Sequence, residues 1–206
     1  MKISLEQVGK RFERHWIFRD LNYTFSSPGK YALLGANGSG KSTLMRILAG
    51  MQSATNPGKV HYSAGGTDLP PDKIFPFISY CAPGMELVEE LTFREFLDFH
   101  RSFKPFLQGM TTARIIELTG LTRSADKLIG DYSSGMKQRV KLVQAICSDT
   151  PVLLLDEPCS NLDEAGISQY RLWMEDYTAN RLVVIASNDP REYYMCTESI
   201  RLDISN

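Results

Sequence analysis

The stretch Gly35-Ala36-Asn37-Gly38-Ser39-Gly40-Lys41-Ser42-Thr43 restricts the fold of this chain more than any other part of it. It follows the short apolar run from Tyr31 to Leu34, and from Ser42 to Leu48 the residues Leu44, Ile47 and Leu48 recur on one helical face, with Gly50 as a stop. Strand, glycine loop and helix in that order build an anion nest: glycines at 35, 38 and 40 let successive amide hydrogens face inward, and the helix start adds the positive end of its dipole. Lys41 is then expected to reach the β- and γ-phosphates of a nucleoside triphosphate and the Ser42 hydroxyl to ligate Mg²⁺, with Asn37, Ser39 and Thr43 completing the cradle. A pattern this loose also fits a glycine-rich structural turn with an exposed lysine, and the flanking strand and helix weigh against that alternative.

A second chemical signal lies at Val152-Leu153-Leu154-Leu155-Asp156-Glu157-Pro158. Four apolar residues deliver two acids to the carboxyl end of a buried strand, where ligands bind in open α/β sheets. Asp156 is placed to hold the metal shell and Glu157 to polarise the attacking water. Adjacent carboxylates on a strand point to opposite faces, so different tasks are expected of them.

The rest of the chain alternates strand-like and helix-like stretches. Residues 3–8 and 18–25 read as an opening antiparallel hairpin, 59–63 and 78–82 as further strands separated by a Gly- and Pro-rich surface excursion over 65–71, and 200–204 as a closing strand. Runs 152–155 and 182–186 are apolar enough to be central parallel strands buried on both faces. Between Leu91 and Ala145 the pattern turns helical, with stripes Phe93, Phe96, Leu97, His100 and Ile115, Ile116, Leu118. The expected fold is α/β: a phosphate-loop core with a mixed central sheet, an antiparallel β subdomain and an inserted helical subdomain. One domain over 1–206 is expected, with 1–88 and 150–206 as the nucleotide-binding core and 89–149 as the helical lobe.

Several classes fall away on composition. The longest apolar runs are strand-sized, far short of the roughly 20 residues of a membrane span, so no direct membrane insertion is expected. The opening Met1-Lys2-Ile3-Ser4-Leu5-Glu6 lacks the apolar centre of a secretory signal, which points to the cytoplasm. The four cysteines, Cys81, Cys147, Cys159 and Cys196, lack paired metal-type spacing and read as free thiols. A net charge of −1 argues against an extended nucleic-acid surface.

Tyr132-Ser133-Ser134-Gly135-Met136-Lys137-Gln138-Arg139, shortly before the Asp156 strand, resembles the signature motif of ATP-binding-cassette subunits, and the resemblance spans essentially the whole chain. It implies a head-to-tail dimer of two copies around two MgATP, the signature of one copy closing on the γ-phosphate held by the other. Ser133, Ser134 and the Gly135 amide would bind that phosphate in trans. Ser134 stands where a glycine is usual and Met136 where a glutamine is usual, variants similar to those of export-type members. Ser160-Asn161-Leu162-Asp163 resembles the loop by which the copies sense each other, Asp163 being its acid. Phe12 sits where the family stacks an aromatic ring on adenine, with Trp16 and Phe18 as competitors and a core role in the first hairpin as the other reading.

Two family elements do not match. Where a glutamine is usual after the strand at Ile78, the register reads Cys81-Ala82-Pro83-Gly84, leaving Glu86, Glu89 or Glu90 as candidate oxygen donors. Where a histidine is usual after the last central strand, the register Ala186-Ser187-Asn188-Asp189 offers Asn188, and the three histidines are His15, His61 and His100. A lost hydrogen bond to a charged group costs about 1.5 to 3 kcal/mol, or roughly 10- to 100-fold in rate, so slow hydrolysis is expected.

The resemblance therefore implies an ATPase subunit, peripheral on the cytoplasmic face of the membrane through a separate permease subunit. The Phe93, Phe96, Phe99, Phe103, Phe106 stretch is a candidate docking surface, although most of these rings are expected in the lobe core. The alternatives are a cassette ATPase serving soluble partners and a slow regulatory ATP clamp.

Overall fold

A computed structural model describes residues 1–55 and 57–202, and the chain divides into two compact units. The first comprises residues 1–80, 151–157 and the stretch from Asn180 on. Its outer sheet is antiparallel. Strands β1 (Lys2–Phe12) and β2 (His15–Ser26) form the opening hairpin, and β4 (Lys59–Ala64) and β5 (Thr67–Leu69) extend it in the order β2-β1-β4-β5. Strand β5 lies inside what the sequence suggests is a plain surface excursion. Gly65 and Gly66 both adopt positive φ, 57° and 82°, which is the two-residue turn geometry that folds Thr67–Leu69 back on β4.

The inner sheet has the order β6-β7-β8-β3-β9, from β3 (Gly29–Leu34), β6 (Ile78–Cys81), β7 (Val152–Asp156), β8 (Leu182–Ala186) and β9 (Glu198–Arg201). Every residue of β7 and β8 is buried, as continuous apolar runs require when both sheet faces are covered. Strand β9 pairs parallel to β3 and ends at Arg201, before the expected end at Ile204; residues 203 and 204 lie outside the described residues. Helix α1 (Lys41–Leu48) buries Leu44, Met45, Ile47 and Leu48, and Gly50 (φ 70°) closes its end against Ile74.

The register of the inner sheet brings the chemistry together. Leu33 and Asp156 both pair with Ala186, so the entrance to the glycine loop and the acid at the end of β7 stand at one level on either side of β8.

The second unit comprises residues 81–150 and 158–179 and holds helices α2 (Phe93–Arg101), α3 (Thr112–Thr119), α4 (Ser134–Cys147) and α5 (Glu164–Tyr177). Side chains written into the sequence start all four. Thr92 and Glu95 make a reciprocal capping box on α2, and Thr111, Ser133 and Asp163 accept from backbone amides at the starts of α3, α4 and α5. Phe93, Phe96 and Phe106 are buried, whereas Phe99 and Phe103 are exposed and meet edge to face with centroids 5.0 Å apart. His100 lies stacked between Phe96 and Phe106, and its Nε2 is 2.8 Å from Ser148 Oγ. The Ser148 hydroxyl donates to Gln144 O at 2.6 Å, so it accepts from His100 and the imidazole carries its proton on Nε2.

Candidate functional site

The glycine loop leaves β3 and enters α1 through Gly40 in the left-handed conformation, φ 97°. A Cβ there would lie 2.4 Å from Ile17 Cγ2, and one on Gly35 would lie 2.5 Å from both Leu202 O and Ser39 Oγ, so neither position admits a side chain. The loop surrounds a cavity of about 220 Å³ edged by Ile17, Asn37, Gly38, Lys41, Ser42 and Glu157. The first amides of α1 have no helical partners of their own and open toward such a cavity as an anion site. Lys41 is buried, and its ammonium group donates to Gly35 O at 2.7 Å and Ala36 O at 3.3 Å, holding the charge inside the loop that a phosphate would enter.

Asp156, the last residue of β7, is 3% exposed. Burial pushes its carboxyl group above the usual range, the hydrogen bond from Ser42 pulls it back, and Glu157 beside it pushes it further up. Asp156 Oδ1 is buried with no hydrogen-bond partner among the described residues. A desolvated carboxylate oxygen without a donor, next to a hydroxyl already bonded to the same group, is the donor set that a hard divalent cation satisfies. Ser42 and Asp156 thus fit Mg²⁺, which binds through one or two protein oxygens and takes the remainder from phosphate and water.

Glu157 leaves the strand at φ 44°, a left-handed conformation unusual for a non-glycine residue, with its amide bonded to Ala186 O at 2.8 Å. That turn separates the two acids: Asp156 stays buried while Glu157 is exposed at the cavity. On the other flank, Ser187 N–H donates to Leu33 O at 3.3 Å, and Asn188 Nδ2 donates to Asn37 Oδ1 at 3.2 Å. All the phosphate-loop residues expected from the sequence, with Asp156, Glu157 and Asn188, therefore belong to one compact unit.

The aromatic candidates separate by burial. Phe18 is 2% exposed and belongs to the core, whereas Phe12 is 48% exposed with the Lys10 ammonium 5.3 Å over its ring. Trp16 takes the Arg11 guanidinium at 5.5 Å. Ile17, between Trp16 and Phe18, reaches the phosphate cavity, a placement that strand alternation alone does not reveal because the β1–β2 register shifts there.

In the second unit Ser133 accepts from Met136 N at 3.3 Å at the start of α4, and Ser133 and Ser134 are exposed. A Cβ on Gly135 would sit 3.0 Å from Asn161 O. Gln138 is buried and donates to Pro158 O at 2.6 Å, and Arg139 meets Asp163 at 3.2 Å. Asp163 also accepts from Gly166 N at 2.8 Å, and that backbone bond, followed by the Arg139 charge, holds its carboxyl below the usual range. Two side-chain hydrogen bonds thus fasten the start of α4 to 158–163. Of the acids considered for the missing glutamine, Glu89 pairs with Lys137 at 2.6 Å, and Lys141 donates to Pro83 O at 2.8 Å.

A phosphate loop between a buried strand and a helix, facing a buried aspartate at the end of a second strand, defines a phosphate-loop nucleoside-triphosphate-binding protein. Comparison with known proteins narrows that class. A family model described as "ABC transporter" matches residues 18–160, and the chain belongs to the ABC transporter family, with the fold of its ATP-binding cassette. It is 31% identical over 193 residues to the ABC transporter ATP-binding protein YhcH of Bacillus subtilis, covering 90% of this chain and 61% of that protein. It is 32% identical over 181 residues to the sulfate/thiosulfate import ATP-binding protein CysA of Synechococcus elongatus, covering 84% and 50%. The chain thus spans only 61% and 50% of the length of these two relatives. Among solved structures it resembles the dimeric post-hydrolysis state of the ATP-binding cassette MJ0796 bound to ADP and Pi, with a TM-score of 0.82 and 20% identity over 99% of this chain and 97% of that one. It also resembles a bacterial Atm1-family ABC exporter with ATP bound, with a TM-score of 0.81 and 18% identity over 100% of this chain and 38% of that one. Among the described residues no helix is long and apolar enough to cross a membrane.

Proposed function

We propose that the chain is the ATP-binding and ATP-hydrolysing subunit of an ABC transporter, two copies closing around two MgATP to drive a separate membrane permease. The observation that carries this reading is the buried Asp156 carboxyl group, bonded by Ser42 and with Oδ1 unpartnered, in the same unit as a cavity edged by Lys41 and Glu157. Phosphates entering the cavity would take the amides of the glycine loop, and Lys41 would exchange its carbonyl partners for β- and γ-phosphate oxygens. Mg²⁺ held by Ser42 and Asp156 supplies neutralising charge for the departing ADP. Glu157 accepts the proton of the attacking water as its oxygen bonds to the γ-phosphorus and the bond to the β–γ bridging oxygen breaks, leaving ADP and inorganic phosphate. Asn188 donates to the γ-phosphate, and Phe12 stacks on adenine with its other face under Lys10.

The second copy contributes Ser133, Ser134 and Gly135 to the same phosphate, with Asp163 sensing closure through its tie to Arg139. In this division of labour residues 1–88 and 150–206 hold the nucleotide, and 89–149 carries the signature and meets the permease, which keeps the chain on the cytoplasmic face of the membrane. Ser134 and Met136 support an export-type subunit. The registers Cys81–Gly84 and Asn188 support a slow cycle and keep the soluble-partner ATPase and the regulatory clamp as the competing readings.

Phosphate release by purified protein tests the catalytic assignment. Glu157→Gln is expected to lower the rate by about 10²- to 10⁴-fold, and equal rates in the two proteins would remove Glu157 as the base. Capture of the chain from detergent-solubilised cells tests the partner: an equimolar multi-span membrane protein supports transport, and exclusively soluble partners support the alternative.

A further inference from the structure

Two carboxamides meet at the edge of the phosphate cavity. The bond from Ser187 N–H to Leu33 O keeps the chain leaving β8 in step with the chain entering the glycine loop, and one residue further Asn188 Nδ2 donates to Asn37 Oδ1 at 3.2 Å. Both side chains are exposed, and Asn37 edges the cavity. The segment is braced from behind, since Asp189 N donates to Ser187 Oγ at 2.9 Å and the Asp189 carboxylate is held by Arg191 at 2.7 Å. That ion pair offsets a negative charge next to a place meant for phosphate.

An asparagine amide has a donor end and an acceptor end of almost the same size, and rotation about χ2 exchanges them. Toward a phosphate only the donor end is attractive. With Asn37 Oδ1 accepting one hydrogen of Asn188 Nδ2, the donor end of Asn188 lies toward Asn37, which edges the cavity, and the nitrogen has a second hydrogen for another acceptor. We propose that Asn37 is a positioning residue that holds the Asn188 amide donor-first for the terminal phosphate, so that the pair distinguishes ATP from ADP.

This inference rests on the nucleotide reading above. Calorimetric titration of MgATP and MgADP into Glu157→Gln protein, and into the same protein with Asn37→Ala, Asn188→Ala or both, tests it. Each single change is expected to weaken ATP binding about five-fold more than it weakens ADP binding, a difference equivalent to about 1 kcal/mol. The double variant is expected to bind ATP no more weakly than either single one. Asn188→Asp, isosteric but without donors, is expected to lose at least as much ATP affinity as Asn188→Ala. Equal losses for ATP and ADP, or losses that multiply in the double variant, would overturn the positioning role while leaving the nucleotide site intact. A parent protein that binds neither nucleotide would instead overturn the reading on which the inference rests.

Discussion

The phosphate cavity and the start of α4, the two anion sites of the function we propose, are built in opposite ways. At the cavity the decisive groups are buried: Lys41 and Asp156 are 6% and 3% exposed, and the loop glycines leave no space for side chains at 35 and 40. At α4 the groups that would touch a ligand, Ser133 and Ser134, are exposed, while the residues behind them, Gln138 and Arg139, are tied to 158–163. The first region holds desolvated charge within a single unit. The second is a braced helix start with exposed serines, which in the function we propose would serve a second copy. The difference teaches that a deep site needs no partner to hold its geometry, whereas a surface site must be stiffened from within to act on one.

The largest test of this contrast is Asp156→Asn. Removing one charge from the metal shell is expected to reduce ATP hydrolysis by about 10²- to 10³-fold, on the scale of removing one preorganised electrostatic contact. The same change is expected to raise the thermal midpoint of the nucleotide-free protein. A carboxyl group whose folded pKa lies above its unfolded value contributes most below the unfolded value and loses that contribution as pH rises through the folded one. At neutral pH Asp156 is therefore a cost to the fold, removed by the amide. A lower midpoint would mean that Asp156 is instead satisfied within its own unit.

Acid separates the two units in a second way. The imidazole of His100, between two phenylalanine rings, is held down to about 4, first by burial and then by the Lys104 ammonium, itself held down to about 8 by burial. A histidine with a depressed folded pKa contributes fully above its unfolded value, near 6.5, and loses that contribution as pH falls toward 4. The loss amounts to at most about 3 kcal/mol. Hydrogen exchange followed from pH 7 to 4.5 is expected to lose protection in α2 and the end of α4 before β7 and β8, where acid relieves the burial of Asp156. Simultaneous loss in both units would break the comparison.

A smaller effect is expected at the helix start. Ser133→Ala removes the cap on α4 and is expected to cost about 1 kcal/mol of stability. ATP binding at low protein concentration, measured by titration, is expected to stay within about two-fold of wild type, because the cavity lies in the other unit. A parallel loss of binding would show that the cap supports the nucleotide site within a single copy.

Much of the architecture was legible in the chain. The strand, glycine loop and helix around Lys41 and the apolar strands at 152–155 and 182–186 are local patterns whose physics acts within a few residues. Strand β5 escaped because its signal is only three residues after a Gly-Gly turn, and Ile17 because a register shift moves its side chain off the expected alternation.

The sequence by itself determined which residues could bind phosphate and metal, since backbone freedom at glycine, hydroxyl and carboxylate chemistry and apolar periodicity are properties of short segments. Only the tertiary structure decided that they belong to one site. Strand β8, distant in sequence from both, inserts between β3 and β7 and sets Leu33 and Asp156 level with Ala186. It also decided that Asn188 meets Asn37, 151 residues away, because that hydrogen bond exists only once the parallel register is formed.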